Sequence, residues 1–292
     1  MNSQFNKGLI LASFGSFWWG FFGVLYFKYI SFIGPLELVI HRCLWTVLTL
    51  VITTFYFSKW DIFFRTINSK KNLFGLFISG FLIFINWGVW IYAVATNRII
   101  DASFGYFIMP ILSVFLGFIF FKEKLNKKRI FSISLVILSI IFLLIANIKS
   151  LPWVGIIVGL SWGFYNLVRK KINVDTDIGL LIESLFILPF AIIIFYFIVI
   201  NNFNDFSLSN INLMLIILLA GPMTVIPLFL YVRGVELSGL GPTGMIFYIT
   251  PTLQFILGFF YYNEDFSISK FVSFIFIWIA VVIYLKDLYE TN

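Results

Sequence analysis

The sequence is poor in the residues on which most soluble enzymes depend. Its 292 residues include one histidine and one cysteine, and 11% of them are charged. These numbers exclude an intrachain disulfide and a multi-histidine or cysteine zinc site. The sequence has no phosphate-binding GxxxxGKS/T motif, no nucleophile elbow and no pair of carboxylates on one helix face. It therefore predicts neither ATP-driven pumping by this chain alone nor an enzyme, and we expect no cofactor or metal.

Hydrophobic residues are as abundant in this sequence as charged residues are scarce. Hydrophobic residues make up 61% of the chain, whereas a soluble domain has about 45–50% apolar and about 25% charged residues. This excess predicts an all-α membrane protein whose surroundings are the lipid bilayer. The net charge of +7 does not indicate nucleic acid, because the basic residues lie in short loops between apolar runs.

Apolar runs of about 20 residues, long enough to cross a bilayer, recur along the whole chain. They predict ten transmembrane helices, at 7–27, 35–57, 72–96, 102–121, 128–147, 151–168, 178–200, 211–232, 241–262 and 268–286. If the N-terminus is cytoplasmic, fifteen of the 20 Lys and Arg residues lie in cytoplasmic segments and four lie outside. Because positive charge marks cytoplasmic loops, we expect both termini in the cytoplasm.

One apolar stretch occurs twice. Segment 102–124 matches segment 243–265 at a shift of 141 positions, which places Pro110 on Pro251. A proline in the middle of a span removes a backbone donor, and in lipid this is tolerated where neighbours or a cavity satisfy the freed carbonyl. Matched interrupted helices in two halves point to a transporter's binding site. Pro110 and Pro251 are therefore predicted hinges beside that site.

The first helix of each half also matches, at a shift of 143 positions that places Trp19 on Trp162. Five helices per half is an odd number, so the second half must enter the membrane upside down. The loop after the first copy of the repeated stretch is basic, and its counterpart is acidic or neutral, as inversion requires. We predict two inverted five-helix repeats, 1–148 and 149–292.

Ionisable side chains inside a bilayer are costly and usually face a cavity or a partner. Arg42 is a candidate for binding an anionic substrate group, or could instead fix its helix together with Glu37. Glu183 could bind a substrate amine or a coupling proton, or could hydrogen-bond a helix end. His41 is a candidate proton relay, with packing as the alternative. Arg42 and Glu183 lie towards opposite membrane faces in this topology, so we do not predict that they pair.

Aromatic rings with nearby amide and hydroxyl groups recur at mid-depth. Such a set suits an amphipathic organic molecule, or a cation over ring faces. Packing alone is the alternative, since 21% of the chain is aromatic. The predicted substrate-binding residues, besides Arg42, are Trp19, Asn86, Trp90, Tyr106, Trp162, Tyr165, Asn166 and Tyr248. The basic clusters 122–129 and 169–171 are interpreted as topology signals.

Several strings resemble a known family. They are Ile40-His41-Arg42, Asn86-Trp87, 102–107 with Pro110, 167–171, and Leu181-Ile182-Glu183. With ten helices in two inverted halves, they resemble the EamA-type members of the drug/metabolite transporter superfamily, and in particular the RarD branch, the chloramphenicol-sensitivity proteins. The resemblance covers essentially the whole chain. The sequence departs from the RarD branch at Met109, where members of the branch are expected to carry Asn.

The resemblance implies transport of small metabolites across the bacterial cytoplasmic (inner) membrane by alternating access, often the export of amino acids or similar compounds. We therefore predict a secondary active transporter that exports a small amino-acid-like or amine-bearing solute, with the proton as the candidate coupling ion. Uptake of an external nutrient is the alternative direction. A lipid scramblase or a membrane-embedded enzyme is the alternative class. The sequence does not indicate an oligomeric state.

Overall fold

The computed structural model describes residues 3–146, 153–172, 174–206, 210–264 and 268–291. Within these ranges it contains helices and no strand. Counting segments that continue into one another as one helix, the elements are α1 (Ser3–Tyr29), α2 (Pro35–Tyr56), α3 (Trp60–Ile67), α4 (Lys70–Ala95), α5 (Ile99–Phe121), α6 (Lys127–Ala146), α7 (Trp153–Lys171), α8 (Thr176–Ile200), α9 (Ile211–Ser238), α10 (Leu240–Tyr261) and α11 (Ile268–Thr291).

Seven of these helices are long and apolar enough to cross a membrane, counted over the described ranges. They are α1, α2, α4, α5, α8, α9 and α10. This confirms the all-α, multi-pass prediction. Helices α6, α7 and α11 cover the three other predicted spans but fall outside the seven, so ten spans stays a prediction. The predicted boundary between the halves, at 148/149, lies outside the described residues.

The packing partners of the helices follow a regular pattern. Helix α1 lies along α9, and α7 lies along both α4 and α5. Helix α2 packs on α8 and α9, α4 packs on α8, and α5 packs on α10. Helices α6 and α11 pack on each other beside this bundle, and their apolar cluster includes residues of α5 and α10. The main core therefore lies among α1, α2, α4, α5 and α7–α10.

Two glycines at matched positions allow close helix contacts. A Cβ added at Gly20 would lie 2.9 Å from the Thr250 carbonyl oxygen and 3.0 Å from Leu253 Cβ. A Cβ added at Gly163 would lie 2.6 Å from Leu112 Cδ2. The α1–α10 and α5–α7 contacts therefore both depend on a missing side chain, and Leu112 and Leu253 are themselves 141 positions apart.

The two central prolines affect their helices differently. Helix α10 is interrupted between Ile246 and Ile249, just before Pro251, while α5 continues through Pro110. Proline cannot donate to the carbonyl one turn earlier, and here the Phe247 carbonyl accepts from the Thr250 N–H at 2.9 Å. Pro251 thus accompanies a local change of helix geometry. The role of both prolines as hinges stays a prediction.

Candidate functional site

Arg42 of α2 is fully buried and lacks partners for most of its donors. Its Nε donates a 3.0 Å hydrogen bond to Thr224 Oγ1 on α9. Neither Nη atom has a hydrogen-bond partner among the described residues, and no described carboxylate lies within 4.0 Å of the guanidinium. An uncompensated charge in a dry interior is costly. The guanidinium therefore offers an anion two Nη atoms for which the described residues supply no acceptor.

Four rings surround the Arg42 guanidinium, and we call them the aromatic cage. The distances from Cζ to the ring centroids are 4.5 Å for Trp87, 4.6 Å for Trp19, 5.0 Å for Phe27 and 5.8 Å for Trp90. Ring faces attract a cation by their quadrupole. The cage thus holds the charge in place without neutralising it.

The alternative pairing of Arg42 with Glu37 is not formed. The Glu37 carboxylate accepts from the backbone N–H groups of Asp205 and Phe206, at 2.8 and 2.9 Å. It also lies 3.5 Å from His41 Nε2. The His41 ring packs against Phe206, at 4.7 Å between centroids, and is not one of the cage rings. Both ring nitrogens of His41 are buried without a hydrogen-bond partner among the described residues, and its role as a proton relay stays a prediction.

Tyr106 connects the cage to the second half of the chain. It belongs to the same buried cluster as Trp90 of the cage, and its ring meets Phe247 edge-on at 5.3 Å. The Asn86 amide nitrogen donates to the Val158 carbonyl at 3.0 Å and to Ser161 Oγ at 3.1 Å. Asn86 therefore joins α4 to α7.

The rings continue from Phe247 to α7. Trp162 lies 5.8 Å from Phe247 and stacks on Tyr165 at 5.3 Å. The Tyr165 hydroxyl donates to Glu183 at 3.2 Å. We call the series Trp19, Tyr106, Phe247, Trp162 and Tyr165 the ring row, because it joins the aromatic cage to Glu183. The indole N–H of Trp162 has no partner among the described residues.

The remaining predicted lining residues lie near the ring row or outside it. Trp90 belongs to the cage and its indole N–H has no described partner. Asn166 donates to the carbonyl of Trp162, one turn earlier, at 2.8 Å, and its Oδ1 has no described partner. Tyr248 packs on Phe107 in the α5–α10 contact and belongs to the smaller apolar cluster. Met109 is buried, and its sulfur accepts from Ser113 Oγ at 2.9 Å.

Glu183 is buried in a polar cluster at the other end of the ring row. Besides the Tyr165 hydroxyl, it accepts a hydrogen bond from Ser79 Oγ on α4. Arg169 Nε lies 3.5 Å from its carboxylate. Arg169 also donates to the Thr176 carbonyl at 3.1 Å. An ion pair between α7 and α8 therefore lies inside the bundle.

The interpretation of Arg169 as a topology signal is wrong. Only 3% of its surface is exposed, and it is the ion-pair partner of Glu183. A signal for this was present in the sequence, because Arg169 follows Tyr165 by four residues and Trp162 by seven, on the same helix face. The adjacent Lys170 and Lys171 obscured it, since a basic run at a helix end also fits positive-inside topology.

Two open cavities lie at opposite ends of α1 and α10. One, of about 860 Å³, is lined by residues that include Tyr26, Lys28 and Tyr262. The other, of about 720 Å³, is lined by residues that include Glu123, Lys170 and Tyr284. Neither of these two cavities is lined by a residue of the ring row. The described ranges contain no group of three or more His, Cys, Asp or Glu residues suited to a metal.

Comparison with known proteins identifies the family. The pattern of the EamA-like transporter family matches residues 6–145 and 150–286. An uncharacterized transporter of Vibrio cholerae is 33% identical, over 96% of this chain and 92% of that protein. The uncharacterized transporter YojE of Bacillus subtilis is 32% identical, over 97% and 95%. Protein RarD of Escherichia coli is 32% identical, over 99% and 97%.

A solved crystal structure shares the fold. It superposes with a TM-score of 0.66, covering 94% of this chain and 96% of the other, at 11% identity. At that identity the likeness concerns the fold alone. The family match and the three relatives, by contrast, extend over nearly the whole sequence. This chain is a RarD-like, multi-pass membrane protein that belongs to the EamA-like transporter family.

Proposed function

We propose that this transporter moves a small, amino-acid-like solute by secondary active transport, and that the solute carboxylate binds Arg42. The observation that carries the proposal is the fully buried guanidinium with both Nη atoms unpartnered. A carboxylate accepts two parallel hydrogen bonds from a guanidinium. Such a ligand would supply both the missing charge and the missing acceptors, which no residue among those described supplies.

The ring row supports an amphipathic solute. The rings of Trp19 and Trp87 lie beside the guanidinium, and the indole N–H groups of Trp90 and Trp162 are buried without described partners. Solute sites are typically apolar with a few convergent polar groups. In the proposal, the solute carboxylate binds Arg42 in the aromatic cage. The apolar portion of the solute inserts between the rings of the ring row.

Glu183 is the proposed site of the coupling proton or of the solute amine. In the described structure Arg169 neutralises it at 3.5 Å. Because two cations cannot share one buried carboxylate at low cost, a proton or an ammonium group at Glu183 would displace Arg169. This exchange would couple solute binding to a movement of α7 relative to α8.

Alternating access between two inverted five-helix repeats, 1–148 and 149–292, is the proposed mechanism. The packing pattern supports it, because exchanging α1, α2, α4, α5 and α6 for α7, α8, α9, α10 and α11 leaves the main contacting pairs among these ten helices unchanged. Under this exchange the α1–α9 contact corresponds to the α7–α4 contact, and the α2–α8 and α5–α10 contacts each correspond to themselves. Rocking of two such halves about a central site is the expected motion. Both termini would lie in the cytoplasm of a bacterial cell, with export as the proposed direction.

The test is solute counterflow in proteoliposomes, with matched pairs of amino acids and their methyl esters. We expect the acids to exchange and the esters not to, and Arg42→Gln to lose at least about ten-fold in rate, because a charged hydrogen-bonded pair is lost. Arg233→Gln is the matched control, since Arg233 is partly exposed and pairs with Glu236 at 2.8 Å. Equal rates for acid and ester, or an unimpaired Arg42→Gln, would overturn the proposal.

The direction of transport requires a separate experiment in cells. Export predicts that cells expressing the protein lose preloaded labelled solute faster than cells expressing Arg42→Gln. Uptake predicts energy-dependent entry of external solute with the same dependence on Arg42. Flipping of labelled lipid in protein-containing vesicles without a gradient would instead support a scramblase.

A further inference from the structure

A glutamate closes each end of the α5–α10 pair. Glu123, which follows α5, accepts hydrogen bonds from the first two backbone N–H groups of α10, those of Leu240 at 2.9 Å and Gly241 at 2.8 Å. Each N–H binds a different carboxylate oxygen. A carboxylate on free N–H groups at a helix N-terminus is stabilised by charge-assisted bonds and by the helix dipole. Glu123 therefore ties the end of α5 to the start of α10.

Glu264 makes the same contact at the other end. It follows α10, and its two oxygens accept from the N–H groups of Ile99 at 3.0 Å and Ile100 at 2.8 Å, at the start of α5. Glu264 lies 141 positions after Glu123, the shift of the sequence repeat. Each helix thus carries, just beyond its C-terminal end, the carboxylate that caps the other.

The two contacts are a full span apart. Helix α5 has 23 residues, which at 1.5 Å per residue separate its ends by about 34 Å. Between them α5 and α10 touch at mid-length, where the Tyr248 hydroxyl donates to the Phe107 carbonyl at 3.1 Å. Two helices that turn about a contact at mid-length act as a lever, so that separating one pair of ends brings the other pair together.

The capping contacts at the two ends of the α5–α10 pair differ in strength. Lys170 of α7 lies 3.0 Å from Glu123 and adds a cation to that contact. Glu264 has no ion pair with a basic side chain among the described residues. The Glu123 contact also borders the 720 Å³ cavity, which Lys170 and Gly239 help to line. Breaking the Glu123 contact would therefore extend this cavity towards the ring row.

We infer that Glu123 and Glu264 are the two latches of the transport cycle. Release of Glu123 from Leu240 and Gly241 opens the end where α10 begins, and release of Glu264 from Ile99 and Ile100 opens the end where α5 begins. Since the lever lets one end open only while the other is closed, the latches are released alternately. This inference rests on the proposed alternating access, but it does not depend on Arg42 or on the identity of the solute.

The test uses a cysteine reporter at each end in a Cys43→Ser background. Ser103→Cys and Thr243→Cys suit this purpose, because both native residues are fully buried, and each lies about one turn inside the N-terminus that a latch caps. The rate of labelling by N-ethylmaleimide is measured on the purified protein without solute. Glutamine in place of glutamate keeps the size of the side chain but loses the charge and one of the two acceptors.

We expect opposite responses from the two variants. Glu123→Gln raises labelling of Thr243→Cys about ten-fold, the effect of losing a charged hydrogen bond, and lowers labelling of Ser103→Cys. Glu264→Gln raises labelling of Ser103→Cys and lowers labelling of Thr243→Cys. Lys170→Met, which leaves the Glu123 carboxylate in place, shifts labelling in the same direction as Glu123→Gln but by less. Glu290→Gln, which removes an exposed partner of Lys128, leaves both rates unchanged.

The outcomes separate a latch from an ordinary helix cap. If either variant raises labelling at both ends together, the carboxylates only stabilise the bundle and the inference is wrong. If the rates do not change, the contacts do not control opening. If labelling changes in opposite directions in the two glutamine variants but the carboxylate test at Arg42 fails, the latch inference stands and the proposed solute is rejected. If carboxylates are transported but labelling changes in the same direction at both ends, the proposed solute stands and the latch inference is rejected.

Discussion

The Tyr248 hydroxyl donates a 3.1 Å hydrogen bond to the Phe107 carbonyl, and the rings of the two residues stack with centroids 5.7 Å apart. These residues are 141 positions apart, so they are the matched residues of the sequence repeat. Their neighbours Tyr106 and Phe247 are matched in the same way and also touch, at 5.3 Å. The two copies of the repeated stretch therefore meet at equivalent residues, at the centre of the ring row.

Replacing Tyr248 with phenylalanine tests whether its role is packing or solute contact. The ring stays and one buried hydrogen bond is lost, so we expect a loss of about 1 kcal/mol in stability with transport retained. Thermal unfolding and counterflow measure the two effects. Loss of transport at unchanged stability would contradict the packing role and support the prediction that Tyr248 binds the solute.

Trp90 is predicted to be essential for transport because it closes the aromatic cage. Trp90→Ala should abolish counterflow while the protein still reaches the membrane. Since removing a buried tryptophan costs about 3–5 kcal/mol, Trp90→Phe provides a milder variant, and it should also impair transport because the free indole N–H is lost. Trp153→Ala is the control at a half-exposed tryptophan. Wild-type rates in both Trp90 variants would refute the assignment.

Glu183→Gln is expected to abolish coupled transport at normal expression, because a glutamine binds neither a proton nor an ammonium group as a carboxylate does. It also leaves Arg169 buried without its counter-charge, which is destabilising in itself. The double variant Glu183→Gln/Arg169→Gln removes both charges and should recover thermal stability without recovering transport. Recovery of both properties would show that the ion pair is structural only.

The matched glycines predict unequal effects on stability. Gly20→Ala brings a methyl group to 2.9 Å from the Thr250 carbonyl oxygen, a backbone atom, whereas Gly163→Ala meets the movable end of the Leu112 side chain at 2.6 Å. We therefore expect the larger loss of thermal stability for Gly20→Ala, in the range of about 1–3 kcal/mol for overpacking. Gly88→Ala, with open space around the new methyl group, should be neutral or slightly stabilising. Equal effects at Gly20 and Gly163 would contradict the described contacts.

The properties that follow from local pattern could be predicted from the sequence. Apolar runs of bilayer length predict helices, and a charge within such a run predicts a buried group, as Arg42 is. The partners of those groups could not be predicted, since they come from distant segments. Thr224 bonds Arg42 across 182 positions, and Glu264 caps α5 across 165. No periodicity encodes such pairs.

Arg169 shows a second limit of prediction from sequence. One basic residue at a helix end can face lipid headgroups or turn into the bundle, and the sequence does not distinguish these positions by charge. The distinction comes from the neighbouring helix, where Gly179 leaves room for the Arg169 guanidinium and Glu183 lies one turn further along. Both residues are needed to predict the ion pair.

The central claim, that a carboxylate binds Arg42, is tested most directly by ligand-dependent thermal stability. Purified wild-type protein and Arg42→Gln would be unfolded in the presence of amino acids, their methyl esters, the corresponding amines and neutral nucleosides. A ligand that binds only the folded protein raises its unfolding temperature. We expect compounds with a free carboxylate to stabilise the wild-type protein and not to stabilise Arg42→Gln. Stabilisation by esters or amines alone, or equal stabilisation of both proteins by the acids, would contradict it.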